Sequence, residues 1–319
     1  MTNAELENDM IELPRYGFGS APIGGLFEAV SDERARATVD AAWAHGVRLF
    51  DTAPHYGVGL SERRLGAALA DRKGYMLSTK VGRLLVPTAS GGRDGQGFDV
   101  PAAFERVWDF SGDGVRRSLE ESLGRLGLDR VDIALIHDPD AHADQAISEA
   151  YPALAELRSQ GVIGAIGVGM NQWQVPLRFV QETDIDVVML AGRYTLIDQS
   201  GLPLLDACAD RGVRVLAAGV FNSGLLATST PAGTYDYEPA PAEVLDRARR
   251  IAKICERYDV PLPQAAMAFP LRHPAVASIV IGARSPEEVA ANAALWERPV
   301  PDNLWSELEA EGLLPRQPA

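Results

Sequence analysis

The sequence predicts an α/β chain folded as a closed (β/α)8 barrel, the TIM barrel, in a single domain with long loops at the C-terminal face of its strands. Three observations carry this. Eight short apolar runs alternate with helix-like segments; such runs imply parallel strands buried on both faces, and eight of them favour a closed barrel over an open doubly wound sheet. Helix-like segments repeatedly end in Gly and pass at once into an apolar run, as at His45-Gly46-Val47, Leu126-Gly127-Leu128, Gln160-Gly161-Val162 and Arg211-Gly212-Val213. Ionisable residues stand just past successive runs, where a barrel of this kind places its chemistry.

Residues 1–12 are acidic and polar and read as a flexible lead. The barrel is assigned to 13–298 and a tail reaching over its rim to 299–319. In chain order the strands are expected at Gly17 to Ile23, Val47 to Phe50, Met76 to Val81, Val131 to His137, Ile163 to Val168, Val187 to Leu190, Val213 to Ala217 and Ser278 to Ile281. The helix before Gly127 is the clearest. Val115, Leu119, Leu123 and Leu126 fall on one face and Arg116, Glu120, Glu121 and Arg125 on another, as an outer-ring helix requires. Gly82 to Ser111 reads as one long irregular stretch, a substrate-covering loop that includes Trp108. A second long loop spans Phe221 to Pro239, and the tail brings Trp305.

With 319 residues, 46% of them apolar, the chain can form a large core, and barrels of this length run as one unit. A net charge of −14 with no basic stripe argues against nucleic acid. Cys208 and Cys255 lack metal-ligand spacing and read as buried reduced thiols, which fits a reducing cytoplasm. No run of eighteen apolar residues suggests a membrane span, and the first residues do not resemble an export signal. Two patterns are set aside. Gly17-Phe18-Gly19-Ser20-Ala21-Pro22 opens like a dinucleotide fingerprint but has Pro22 at the third glycine, and His137-Asp138-Pro139-Asp140-Ala141-His142 matches no metal spacing, so no metal is expected.

The candidate chemical residues are Asp51 and Tyr56 in Phe50-Asp51-Thr52-Ala53-Pro54-His55-Tyr56, Lys80 in Ser78-Thr79-Lys80-Val81, and His137 in Leu135-Ile136-His137-Asp138. Singly, each has an ordinary structural use: a helix cap, a partner for that cap, a pocket wall, a core histidine. Together they form a proton-transfer set. A phenol has a pKa of about 10, and bringing it near 7 needs roughly 4 kcal/mol of preferential stabilisation of its anion. The Lys80 cation would supply much of that, Asp51 would hold Lys80 charged, and His137 would hydrogen-bond the substrate oxygen. Such a set suits interconversion of a carbonyl and an alcohol, with a nicotinamide handling the hydride.

These residues resemble the catalytic tetrad of the aldo-keto reductase superfamily, and the resemblance extends over nearly the whole chain. It is carried by Phe50-Asp51-Thr52-Ala53-Pro54-His55-Tyr56-Gly57 leading to Ser61-Glu62, by Leu126-Gly127-Leu128-Asp129-Arg130-Val131-Asp132, and by Ile281-Gly282-Ala283-Arg284-Ser285. It implies a bound nicotinamide dinucleotide, Tyr56 as general acid/base, Lys80 and Asp51 as its tuning pair and His137 as the orienting group. Val81-Gly82-Arg83-Leu84-Leu85, Asp109-Phe110-Ser111-Gly112-Asp113-Gly114-Val115 and Ile136-His137-Asp138-Pro139-Asp140 are similar to the branch holding D-threo-aldose 1-dehydrogenases, L-fucose and L-galactose dehydrogenases and pyridoxal 4-dehydrogenase.

That branch implies oxidation of a cyclic hemiacetal to a lactone, on an aldose of the L-fucose, L-galactose or D-arabinose type. Pyridoxal oxidation, NADPH-dependent aldehyde or ketone reduction, and a non-enzymatic nicotinamide-sensing module like the potassium-channel β-subunits remain as alternatives. Relatives that prefer NADP carry Lys and Arg after the eighth strand, where this chain has Gly282 and Glu288. A carboxylate there suits a ribose 2′-hydroxyl better than a phosphate, which implies NAD over NADP, although Arg284 leaves one cation nearby. Asn171, Gly219, Phe221, Asn222, Ser223, Gly224, Leu225, Gly282, Ala283, Arg284, Glu288 and Asn292 are the expected cofactor contacts; Phe27, Trp108 and Trp305 are the expected substrate contacts. The chain departs from the wider pattern at Gly169-Met170-Asn171, at Ala191-Gly192-Arg193-Tyr194, and at Gly219, where an aromatic often stacks on the nicotinamide.

Overall fold

The computed structural model describes residues 11–89, 91–236 and 238–315. Eight parallel strands close on themselves: β1 (Tyr16–Gly19), β2 (Leu49–Asp51), β3 (Met76–Val81), β4 (Val131–His137), β5 (Ile163–Met170), β6 (Val187–Ala191), β7 (Arg214–Ala218) and β8 (Val276–Gly282), with β8 pairing back to β1. The third and fourth strands have the expected bounds. The first does not: it stops at Gly19, and Pro22–Gly24 forms a 3-10 turn, because Pro22 has no N–H to continue a ladder. β2 begins at Leu49 rather than Val47 and ends on Asp51.

Helices α1 (Asp32–Ala44), α2 (Leu60–Leu69), α3 (Gly112–Leu126), α4 (Tyr151–Ser159), α5 (Gln174–Glu182), α6 (Leu202–Arg211), α7 (Ala242–Arg257), α8 (Leu262–Ala268), α9 (Pro286–Trp296) and α10 (Asp302–Ala310) surround the barrel. α3 shows why they form. Ser111 caps it by accepting from Gly114 N, Val115, Leu119 and Leu126 are buried, and Gly127 closes it at φ 70°. Arg116 and Glu120 face water.

Strand periodicity sorts the core into two layers. Leu49, Ile133, Leu135, Ala165, Val187, Met189, Leu216 and Val280 fill the inside of the barrel, while the alternate positions, such as Phe18, Phe50, Leu77 and Ile136, pack outward against the helices. A buried ionic link joins helices to strand in the outer layer: Glu62 on α2 accepts from Thr79 Oγ1 on β3 at 2.7 Å and from Arg125 Nε on α3 at 2.6 Å. The Ser61-Glu62 motif is therefore partly architectural.

The stretch after β3 is not irregular throughout. Arg83–Pro87 and Phe104–Trp108 form an antiparallel hairpin, with Arg83 opposite Trp108 and Leu85 opposite Arg106. The hairpin inverts the usual pattern: Arg106 is 5% exposed and Trp108 43% exposed. Burial of Arg106 is balanced by Asp94, whose carboxylate takes both terminal nitrogens at 2.5 and 3.2 Å. The tail also departs from expectation. α10 docks on α7 and the Phe269–Arg272 turn, where Arg272 bonds Glu309 at 3.0 Å and Trp305 packs on Phe269 beneath the Arg272 guanidinium. It does not bring Trp305 over the rim. The expected flexible lead falls almost wholly on residues 1–10, outside the described residues.

Candidate active site

Side chains two apart on a strand share a face, so each inward column ends at the C-terminal mouth of the barrel. Leu49 is followed inward by Asp51, Ser78 by Lys80, and Ile133 and Leu135 by His137. Register aligns these columns: Asp51 pairs with Ser78, and Lys80 with Leu135. An apolar interior thus opens into a polar mouth.

There, Lys80 Nζ donates to Asp51 Oδ2 at 2.7 Å and Oδ1 at 2.9 Å, to Thr52 O at 2.9 Å and to Tyr56 OH at 3.0 Å. Ser78 Oγ donates to Asp51 Oδ1 at 3.0 Å. Gly57 places Tyr56: its φ is +60°, and a Cβ there would stand 2.1 Å from Gly24 O. The His137 ring lies 6.1 Å from the Tyr56 ring at 89°, and Phe98 covers Tyr56 at 6.1 Å and 30°.

Burial tends to drive Lys80 down, but Asp51 and Tyr56 outweigh it and hold the ammonium above the usual lysine range. Burial pushes Asp51 up, opposed by Lys80 and Ser78. Tyr56 is pushed up to about 12 by burial, with Lys80 pulling the other way. Lys80 thus pulls the phenol in the expected direction, while enclosure of its anion opposes that pull. Burial, then Arg83, keeps His137 well below the ordinary histidine range and lowers His55 to about 3, so both rings are neutral at pH 7.

Two joined cavities open here, sharing Phe27, Asn171, Gly219 and Gly282 as walls. The first, about 640 Å³, contains Asp51, Tyr56, Lys80 and His137. The second, about 540 Å³, runs outward past Phe221, Asn222, Ser223, Gly224, Arg284, Glu288 and Asn292.

A family model described as the aldo/keto reductase family matches residues 15–311. The chain belongs to that family. It is 46% identical to a D-threo-aldose 1-dehydrogenase of Pseudomonas sp over 96% of this chain and 96% of that protein. It is 42% identical to a pyridoxal 4-dehydrogenase of Microbacterium luteolum, covering 93% and 94%. A holo-form aldo-keto reductase from Bacillus halodurans superposes with a TM-score of 0.74 at 26% identity, covering 93% and 91%. This aldo-keto reductase is an oxidoreductase.

Most residues expected to contact the cofactor do line the second cavity of the reductase, but Leu225 and Ala283 do not. They are 0% and 2% exposed and pack into the core. Trp305 lies away from both cavities, and Trp108 stands on the outer side of the hairpin, 5.4 Å from the Arg83 guanidinium. Phe27 lines both cavities. Sequence reasoning passed over His55, Phe98, Asp138, Met170 and Met189, all walls of the first cavity. His55 and Asp138 adjoin residues already singled out, and that adjacency was the available signal.

The second cavity fits an extended dinucleotide on the observation of one atom: Asn222 Oδ1 is buried and has no hydrogen-bond partner among the described residues. Glu288 is already engaged, accepting from Arg284 N at 2.9 Å.

Proposed function

We propose that the protein oxidises the anomeric carbon of an aldose, held as its cyclic hemiacetal, to a lactone with NAD. The observation that carries this is the Tyr56–Lys80–Asp51 chain at the mouth of the barrel, in a chain 46% identical to an aldose 1-dehydrogenase. A bound nicotinamide dinucleotide supplies the hydride acceptor that no side chain can provide. Asn171, Asn222, Ser223 and Arg284 would hold it, together with the backbone around Gly219, Gly224 and Gly282.

The rest is done by side chains. Tyr56 takes the proton of the anomeric hydroxyl as the C–O bond gains double-bond character. Lys80 stabilises the developing phenolate, and Asp51 keeps Lys80 protonated and aimed. Neutral His137 donates to the same substrate oxygen and fixes its approach. What supports NAD over NADP is charge: Arg284, a cation in the wall of the second cavity, is paired with Glu28 at 3.1 Å and Glu288 at 3.7 Å, which leaves it less able to hold a phosphate.

A panel of L-fucose, L-galactose, D-arabinose and pyridoxal with NAD, followed by absorbance of the reduced coenzyme, tests the reading. Turnover of at least one aldose is expected. Turnover of pyridoxal alone would favour the second reading, which rests on the 42% identical pyridoxal 4-dehydrogenase; no turnover on any member would overturn both.

A further inference from the structure

Asp138 follows His137 directly and has no part in the proton chain, yet it lines the first cavity. It holds an unusual conformation. Its φ is +43°, a region that side-chain-bearing residues seldom occupy and that Asp tolerates better than most, and its backbone N–H bonds Gly169 O at 3.1 Å. The turn aims the carboxylate back across the mouth of the barrel instead of continuing the strand.

The two carboxylate oxygens have different surroundings. Oδ2 accepts from Arg83, itself 8% exposed beneath the Trp108 ring, and lies 3.6 Å from His137 Nε2. Oδ1 makes no hydrogen bond to any described residue, while the side chain stays 24% exposed in the cavity wall. One oxygen is anchored and the other is presented. An anchored carboxylate is a strong acceptor, able to take hydroxyl donors at little cost in side-chain freedom.

Resting on the aldose reading above, we infer that Asp138, positioned by Arg83, accepts hydrogen bonds from ring hydroxyls of the sugar and sets the preference for hydroxyl-rich hemiacetals over hydroxyl-poor ones. His137 orients the reacting oxygen; Asp138, one residue on, reads the ring beside it. A site built to bond a hydroxyl rejects the analogue lacking it far more strongly than an apolar wall does, because the acceptor, covered once the sugar is bound, is then left unpaired. If Asp138 only neutralised Arg83, its loss would affect every substrate alike.

The test uses the full chain and two substrates: the best aldose of the panel, and tetrahydropyran-2-ol, a cyclic hemiacetal with no other hydroxyl. The readout is the ratio of their kcat/KM values. Asp138→Asn is expected to lower that ratio roughly 10- to 100-fold, the range for losing a hydrogen bond to a charged group. Arg83→Lys, which keeps the charge but loses the planar fork, lowers it by less. An unchanged ratio in Asp138→Asn, with or without a general fall in rate, overturns the inference. The unaltered protein gives a second measurement independent of folding: among monodeoxy forms of the same aldose, at least one loses roughly 10-fold or more in kcat/KM, and a series with no loss overturns the inference. Oxidation of no aldose by the unaltered protein would overturn the functional reading and this inference with it, whereas good aldose turnover with an unchanged ratio overturns the inference alone.

Discussion

Tyr56 stands between two opposing influences, an ammonium at 3.0 Å that favours its anion and an enclosed setting that opposes it. Because enclosure wins and the phenol is pushed up to about 12, it is protonated at neutral pH, ready as an acid and scarce as a base. Oxidation needs the base form, whose fraction grows with each step of pH toward that value. The kcat/KM for aldose oxidation is therefore expected to climb through the alkaline range. His137 and His55 are both lowered and stay neutral, so they add no inflection near 6.5; a pH profile with an acid limb there would count against this assignment. Replacing Tyr56 with Phe is expected to cut kcat roughly 10²- to 10⁴-fold while leaving NAD affinity nearly unchanged, as measured by single-turnover rates and a fluorescence titration of the cofactor.

Among the elements, β2, β3 and β4 were readable because each combines apolar positions with a charged or titratable residue at or next to its C-terminal end. The hairpin after β3 was hidden. Its strands are five residues long, one ends in Pro87, and their polarity is reversed, with Arg106 inside and Trp108 outside. Arg106 tolerates that position because Asp94, twelve residues earlier, folds back onto it and His55 O accepts from it at 2.9 Å. A comparable link joins α2, α3 and β3 through Glu62, 0% exposed. Glu62→Ala takes from Arg125, 15% exposed, its nearest carboxylate, leaving it Ser122 and a Glu121 3.9 Å away, and leaves Thr79 unsatisfied, which is expected to cost about 3 kcal/mol of stability. Urea unfolding reads this as a lower midpoint at an unchanged slope, and NAD affinity is expected to hold.

At the scale of the whole molecule, the two cavities join into one groove from the barrel mouth to the N-terminal end of α9, so a cofactor bound there braces loops from several strands. Saturation with NAD at about 100 times its Kd is expected to add about 2.7 kcal/mol to stability, and NADP at the same concentration less. Thermal unfolding with each dinucleotide checks this. Glu288→Arg removes the carboxylate that holds Arg284 N and adds a cation, so the NAD-to-NADP ratio of kcat/KM is expected to fall by roughly tenfold or more, the worth of one charge-assisted contact to phosphate.

By itself the sequence determined the barrel, the order of its strands and the four residues gathered at its mouth. Local periodicity records which face of each element is buried, and a closed parallel barrel leaves a single end at which the inward columns can finish. Only the tertiary structure decided the rest: that Trp305, Leu225 and Ala283 pack away from the cavities, that Asp138 turns back toward them, and that enclosure of the Tyr56 phenol opposes the pull of Lys80. These depend on contacts between segments far apart in the chain and on how completely water is excluded from a charge, and neither quantity is written in the spacing of residues along the chain.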